Sequence, residues 1–312
     1  MFLNDEQMRQ ESHKLALQHD PFMKRTASAR IWNDIEADLD RLRDFVKALH
    51  EDRGTCTQPA EEWLLDHAEF IEAEAFAIKE ERSSKLLRKL PYISKTGRLR
   101  VSSICDAYLE HTDGQWNEES FVAFVNSYQE VSVLSIAEAG ALPLFLKIEV
   151  IRRLSALMET VRDRRAICRL VDRVLGGIKP SELTAERLKR ALEEAGQRMP
   201  LSGAMTVHLV QHLREHAEDM ANVGEWLVCK LENGPDSLDS ILSYEFQLQA
   251  AYQVTTGNLM GSLRKLSRLR GSDLFERICL VDHTLRGEKA GDYPRLDDGS
   301  RDTLRRRVEK LA

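Results

Sequence analysis

The sequence predicts an all-α protein, an irregular array of about ten to twelve helices that includes one long central helix. Three observations predict it. Chain breakers are scarce: 16 Gly and 8 Pro in 312 residues, about 8% against roughly 12% in average proteins. Apolar residues recur at steps of three and four, the period of an amphipathic helix. No run alternates apolar and polar residues as a half-buried strand would. With 42% hydrophobic and 31% charged residues, the chain can build a core and solvate its surface, which excludes disorder as a whole-chain state.

The first stripe is Trp32, Ile35, Leu39, Leu42, Val46 and Leu49, ending before Gly54. Pro59 sits where a first-turn proline opens the next helix, which carries Trp63, Phe70, Ile71 and Ile78. So short a link predicts an antiparallel pair. A loop around Pro91 and Gly97 precedes a short helix with Val101, Ile104, Cys105 and Tyr108. The turn His111-Thr112-Asp113-Gly114 stops it, and Asn117 caps the next helix, with Phe121, Phe124, Val125 and Tyr128. Ser135 and Glu138 have capping-box spacing and open the longest pattern, which runs to Leu175 before Gly176-Gly177. Pro143 lies inside it, where a kink or restart is expected; from Leu144 onward the helix would be about 48 Å long. Helical patterns follow at 184–195, 201–220, 223–232, 237–254, 257–269, 273–286 and 300–311, punctuated by Gly196, Gly234-Pro235, Gly271 and Gly287. No fixed-period repeat is present. Gly176 to Pro180 marks the expected boundary between an N-terminal subdomain, 1–175, and a C-terminal one, 181–312, unless the two form one continuous domain.

Composition also excludes function classes. The most apolar stretch, Ala139 to Leu146, is bounded by Glu138 and Lys147, far short of the roughly 20 apolar residues of a membrane span. The first residues carry acids and no apolar core, so no secretory signal is expected. Cys56, Cys105, Cys168, Cys229 and Cys279 are dispersed, as for reduced thiols in a cytoplasmic protein. A net charge of −6 and a pI near 5.9 argue against nucleic acid as a partner.

His208, His212 and His216 share one helix face, but three ligands spread over some 12 Å cannot hold one ion. Asp38 and Asp40 flank the inward Leu39 in mid-helix, and pairs such as Asp297/Asp298 and Glu193/Glu194 read as solvated acids. No glycine-rich phosphate cradle and no nucleophile elbow occurs. The sequence assigns no catalytic, cofactor-binding or metal-ligating residue and calls for no cofactor. Charge is uneven: residues 260–312 carry a net +4, leaving −10 for the rest. Arg264, Lys265 and Arg268, and then Arg305, Arg306 and Arg307, form basic clusters, able to meet lipid headgroups or an anionic partner, although a solvated helix face with Asp and Glu interspersed is the plainer reading.

Several stretches together resemble a known family. They are Glu62-Trp63-Leu64-Leu65-Asp66-His67 with Ile71-Glu72; His111 to Gly114, then Glu118 to Val122 and Ser127 to Val131; and Leu134-Ser135-Ile136 to Leu142-Pro143. Near the end, Val254 to Asn258, Leu274 to Ile278 through Arg286, and Ala290 to Asp297 followed by Arg301-Asp302 continue the match. In that order they resemble the N-terminal region of the cyclic β-1,2-glucan synthases, over about Glu61 to Ala312. Departures occur at Ala137 and Gly140, where the family has Gly and Trp, and at Leu296, Asp298 and Leu304, where it has Met, Phe and Tyr.

The resemblance implies a helical, cytoplasmic portion of a very large inner-membrane protein. Such proteins carry a family 84 glycosyltransferase domain that uses UDP-glucose among membrane helices, and a family 94 phosphorylase-like domain downstream. Neither set of catalytic motifs occurs here, so the expectation is a non-catalytic module at the cytoplasmic face of the inner membrane. Its expected partner is a membrane-embedded glycosyltransferase domain or subunit, on which it packs or which it regulates. The alternatives are a stand-alone interaction scaffold and a nucleotide-sugar-dependent glucosyltransferase in its own right. The last stripe, Leu304, Val308 and Leu311, runs to the chain end without a stop signal, as expected of a fragment. The turns that carry the resemblance give the candidate interface residues His111, Asp113, Tyr293, Arg295, Asp297, Arg301 and Asp302. Asp113 and Asp302 as helix caps and Arg301 as a local ion pair is the plainer reading.

Overall fold

The computed structural model describes residues 4–23, 29–51, 59–81, 84–178, 182, 184–196, 202–215, 238–289 and 291–311. In chain order these form α1 (Asp5–Gln18), β1 (Pro21–Phe22), α2 (Ala29–Glu51), α3 (Pro59–Asp66), α4 (Ala68–Glu80), α5 (Ser84–Leu87), β2 (Tyr92–Ile93), α6 (Arg100–His111), α7 (Glu118–Gln129) and α8 (Ile136–Gly176). Then come α9 (Ala185–Glu194), α10 (Gly203–Glu215), α11 (Leu238–Arg268), α12 (Gly271–Ile278), α13 (Leu280–Arg286), a 3-10 turn (Tyr293–Arg295) and α14 (Asp298–Leu311). The architecture is all-α with a long central helix; β1 and β2 add one antiparallel pair, Pro21 with Ile93 and Phe22 with Tyr92. Among the described residues no helix is long and apolar enough to cross a membrane.

Local chemistry accounts for most boundaries. The stripe from Trp32 to Leu49 is buried along α2. Asn117 caps α7 by accepting a hydrogen bond from the Ser120 amide at 3.1 Å. The capping box at the start of α8 is reciprocal: the Ser135 amide donates to Glu138 at 2.9 Å and the Glu138 amide to Ser135 Oγ at 3.3 Å. α8 runs 41 residues, continuing through Pro143 with no restart, for a contour length of about 60 Å. Proline so close to the start removes one ladder bond, and the buried residues Leu142, Leu144, Phe145 and Leu146 around it hold the helix in place.

Other boundaries differ from expectation. α1 has no apolar stripe; Met8 and Ala16 are its buried apolar residues. It is fixed instead by a box between Asn4 and Gln7 (2.9 and 2.8 Å) and by Ser12 Oγ donating to the Phe124 carbonyl at 2.6 Å. The helix expected from Pro59 to Ile78 is split at His67, and that over 273–286 at Cys279, both without Gly or Pro to signal it. Conversely, 237–254 and 257–269 are one helix, α11. Thr256, Leu259, Met260, Leu263 and Leu266 are buried along it, which outweighs the cost of about 1 kcal/mol for Gly257 in a helix. The pattern at 223–232 lies outside the described residues, as do Cys56, Cys229 and the end of the 201–220 pattern.

The chain forms two compact units, Met1–Asp44 with His67–Ser155 and Thr255–Ala312, and Phe45–Asp66 with Ala156–Val254. Residues 176–178 lie within the span of the second. In the first, Tyr108 is fully buried against Phe121 and Phe124, at ring separations of 5.0 and 5.8 Å. In the second, Val171 and Leu175 of α8 pack with Leu188 and Leu192 of α9 and with Met205, Leu209 and Val210 of α10. Each fully buried leucine there contributes about 1.5–3 kcal/mol.

Candidate functional site

The residues singled out by the resemblance gather at two places in the first unit. At one, α6 ends on His111, which is half-buried, and the chain reverses through two left-handed residues, Asp113 at φ 48° and Gly114 at φ 75°. The Gly114 amide donates to the Leu109 carbonyl at 2.8 Å, closing the helix end. Asp113 then reaches α11: its carboxylate accepts from Thr255 Oγ1 at 2.9 Å and from Asn258 Nδ2 at 3.3 Å. Ser262 Oγ donates to the Gly114 carbonyl and accepts from the Trp116 amide, both at 2.7 Å. Thr255, Asn258 and Ser262 are spaced by three and four, so one face of α11 clasps the turn. Position 114 must be glycine on two grounds: its φ, and Leu259 Cδ2, which would lie 2.6 Å from a Cβ. The His111 to Gly114 and Val254 to Asn258 segments, read separately in the sequence, are thus two sides of one contact.

The second place is built around Asp282 of α13, which is fully buried. Its carboxylate accepts from Tyr293 Oη at 2.5 Å, from Arg305 Nε at 2.8 Å and from Arg286 Nε at 2.5 Å. Arg305 of α14 also lies 4.9 Å from the Phe275 ring centroid. Beside it Glu276 pairs with Arg301 at 3.0 Å and Arg286 at 2.5 Å. Burial pushes the Asp282 carboxyl up, but hydrogen bonds from Tyr293, Arg286 and Arg305 outweigh it and hold the group below the usual range. Burial and the adjacent carboxylate push the Tyr293 hydroxyl up to about 12. A carboxylate so surrounded is a structural anion rather than a proton carrier near neutrality.

Of the other named residues, Asp297 caps α14 through the Ser300 amide (3.0 Å) and hydroxyl (2.6 Å), bonds that lower its pKa. Asp302 pairs with Arg306 one turn on, at 2.7 Å, and Arg295 is exposed. The helix cap is therefore Asp297, while Asp113 braces α11. Sequence reasoning missed Asp282 as the centre; the i, i+4 spacing of Asp282 and Arg286 was a signal, but nothing local points to Arg305.

Two further polar clusters lie in this unit. Arg100 and Glu138, both buried, form a bidentate pair with Nε at 2.6 Å, and Arg100 also donates to the Val133 carbonyl at 3.1 Å. Nearby, His19 Nδ1 bonds Tyr128 Oη at 2.7 Å; burial, and then the Arg100 charge, push the imidazole down to about 4. Glu149, also buried, is met by Ser102 and by Arg152 at 3.1 Å; burial raises its pKa against these partners. It lies below a cleft of about 490 Å³ lined by Arg98, Arg152, Ser102, Tyr92 and Phe145 among others. Arg98 is tied to Asp106 at 2.8 Å and Arg152 to Asp38 at 3.0 Å, so the cationic walls are already neutralised by the protein.

The remaining candidates are paired in the same way. His208 bonds Asp172 at 2.7 Å, and His216 lies outside the described residues. Asp40 meets Lys79 at 3.1 Å, and Glu193 meets Lys189 at 3.8 Å. Among the described residues no three His, Cys, Asp or Glu side chains converge as a metal ion would need.

No protein-family model matches the chain. Among curated proteins, the cyclic beta-(1,2)-glucan synthase NdvB of Rhizobium meliloti (strain 1021) is 28% identical over 265 residues, 83% of this chain. The match takes in 9% of the synthase, so the chain spans a small part of its relative's length. The resemblance read from the ordered motifs is therefore borne out: over most of its length this chain is similar to a region of a cyclic β-1,2-glucan synthase.

Proposed function

We propose that the chain is a non-catalytic helical module of a β-1,2-glucan synthase system, which packs on or regulates a membrane-embedded glucosyltransferase at the cytoplasmic face of the membrane. The observation that carries this reading is the similarity to the synthase across 83% of the chain. Two features support it. The sequence has neither the glycine-rich nor the nucleophile motifs of a transferase or hydrolase active site. The charged groups at the two candidate places, Asp113 and the Asp282 cluster, are committed to holding helices together. In this reading Asp113 and Arg301 fix the shape of the surface presented to the partner, and exposed Arg295 and the exposed edge at Asp297 are the contact positions.

Co-purification tests it. The full chain, tagged and mixed with detergent-solubilised membranes containing a cyclic β-1,2-glucan synthase transferase, is expected to retain that transferase at micromolar concentration. Arg295→Glu should weaken the association without altering the fold. Failure of the wild-type chain to associate would remove the regulatory module and leave an independent scaffold.

A further inference from the structure

The sequence contains two basic clusters, and the structure gives them different fates. In the second, Arg305 is buried against Asp282 and Arg306 pairs with Asp302, each at 2.7 Å. Those cations are used by the protein itself. In the first, Arg264, Lys265 and Arg268 at the end of α11 and Arg270 in the link to α12 are all exposed. Among the described residues none of the four pairs with an acid; Arg264 instead lies 6.0 Å from the Phe70 ring centroid. The surrounding stretch 246–272 contains no Asp or Glu, in a chain with 51 of them in 312 residues. Arg264, Lys265 and Arg268 fall within about 100° of the helix circumference, while Leu263 and Leu266 are buried beneath them.

We propose that this patch, Arg264, Lys265, Arg268 and Arg270, docks the protein on an anionic lipid surface. Charge dominates this stretch: between residues 255 and 310 no large apolar side chain is exposed, so the segment itself supplies none of the aromatic and aliphatic anchors that dominate protein interfaces and none of the rings that stack on single-stranded nucleic acid. Exposed cations at a helix end suit a laterally delocalised field of headgroups, which needs neither pocket nor register. Cations in the last turn also complement the helix dipole. That effect falls off within the turn, and it explains neither Arg270 beyond the helix end nor the absence of acids over 246–272.

The inference is independent of the proposed transferase partner, because the test contains lipid and no other protein. Full-length chain is mixed with sedimentable vesicles of phosphatidylcholine alone or with roughly one-third phosphatidylglycerol, at low salt. Binding is expected to the anionic vesicles and not to the neutral ones, and to fade as salt is raised. The quadruple variant Arg264→Gln, Lys265→Gln, Arg268→Gln, Arg270→Gln should bind at least about a hundredfold more weakly with unchanged circular dichroism. Replacing the three arginines by lysine should preserve binding, and Arg306→Gln with Arg307→Gln should leave it largely intact. Equal binding to neutral vesicles, no binding to anionic ones, or full binding by the quadruple glutamine variant would overturn the proposal.

Discussion

Replacing Asp282 by alanine removes the acceptor at the centre of the C-terminal cluster and leaves its donors behind. Tyr293 Oη, Arg305 Nε and Arg286 Nε all donate to this carboxylate within 2.8 Å, and Arg305 Nη2 lies at 2.7 Å. Arg286 is a third exposed and can turn to water, but Arg305 is 8% exposed and keeps as acidic partner only Glu276 at 4.0 Å, beside the neutral Tyr293 hydroxyl at 2.7 Å. Stranding one partner of a buried pair costs about 3–5 kcal/mol. Tyr293 Oη still accepts from Arg305 Nε at 2.7 Å, but its proton loses its acceptor, which adds to the cost. Against a typical total of about 5–15 kcal/mol, the loss is large. Urea unfolding followed by circular dichroism should show the midpoint falling by about 1 M or more. Asp282→Ala with Arg305→Met should be less destabilised than Asp282→Ala alone, because no buried charge is stranded. The depressed pKa gives a second signature. The stabilisation is present above the ordinary aspartate value near 3.8 and is lost as pH falls through the lower folded-state value. A cost below about 1 kcal/mol, or a double variant no more stable than the single, would refute the reasoning.

Three other outcomes are expected. Gly114→Ala should destabilise by more than about 2 kcal/mol, since strain at positive φ adds to the clash with Leu259, whereas Gly97→Ala, at φ +66° with open space around it, should show the backbone strain alone; comparing their melting temperatures separates the two. Gly140→Ala should raise stability by about 0.5–1 kcal/mol, because that helical Cβ would meet only Phe275 at 3.9 Å. His19, depressed to about 4, contributes stability that is present above its ordinary value near 6.5 and is lost as pH falls from there to about 4; His19→Gln should flatten the stability profile over that window, as read by thermal melts at stepped pH.

What the sequence disclosed and what it hid follow from the range of the interactions. The Trp32 to Leu49 stripe, the Asn117 cap and the Ser135/Glu138 box each depend on residues within a few positions, so spacing alone reveals them. α1 was hidden because its docking is polar and distant, through Ser12 to Phe124 and His19 to Tyr128, with no apolar stripe to announce it. The breaks at His67 and Cys279 carry no Gly or Pro. At Cys279 the break starts a new helix whose Asp282 meets Tyr293 and Arg305, residues far along the chain. The candidate residues show the same limit. Resemblance picked out Asp113 and Tyr293, but their partners, Thr255 with Asn258 and Asp282 with Arg305, are joined to them by folding and not by spacing.

The central claim is a module without chemistry of its own that acts on a membrane transferase, and product formation from labelled UDP-glucose with a divalent cation tests it most directly. The chain alone should yield no β-1,2-glucan, and its addition to membranes carrying the transferase should change the rate or amount of glucan made. Robust β-1,2-glucan synthesis by the purified chain, or no effect on the transferase at saturating chain, would contradict the account.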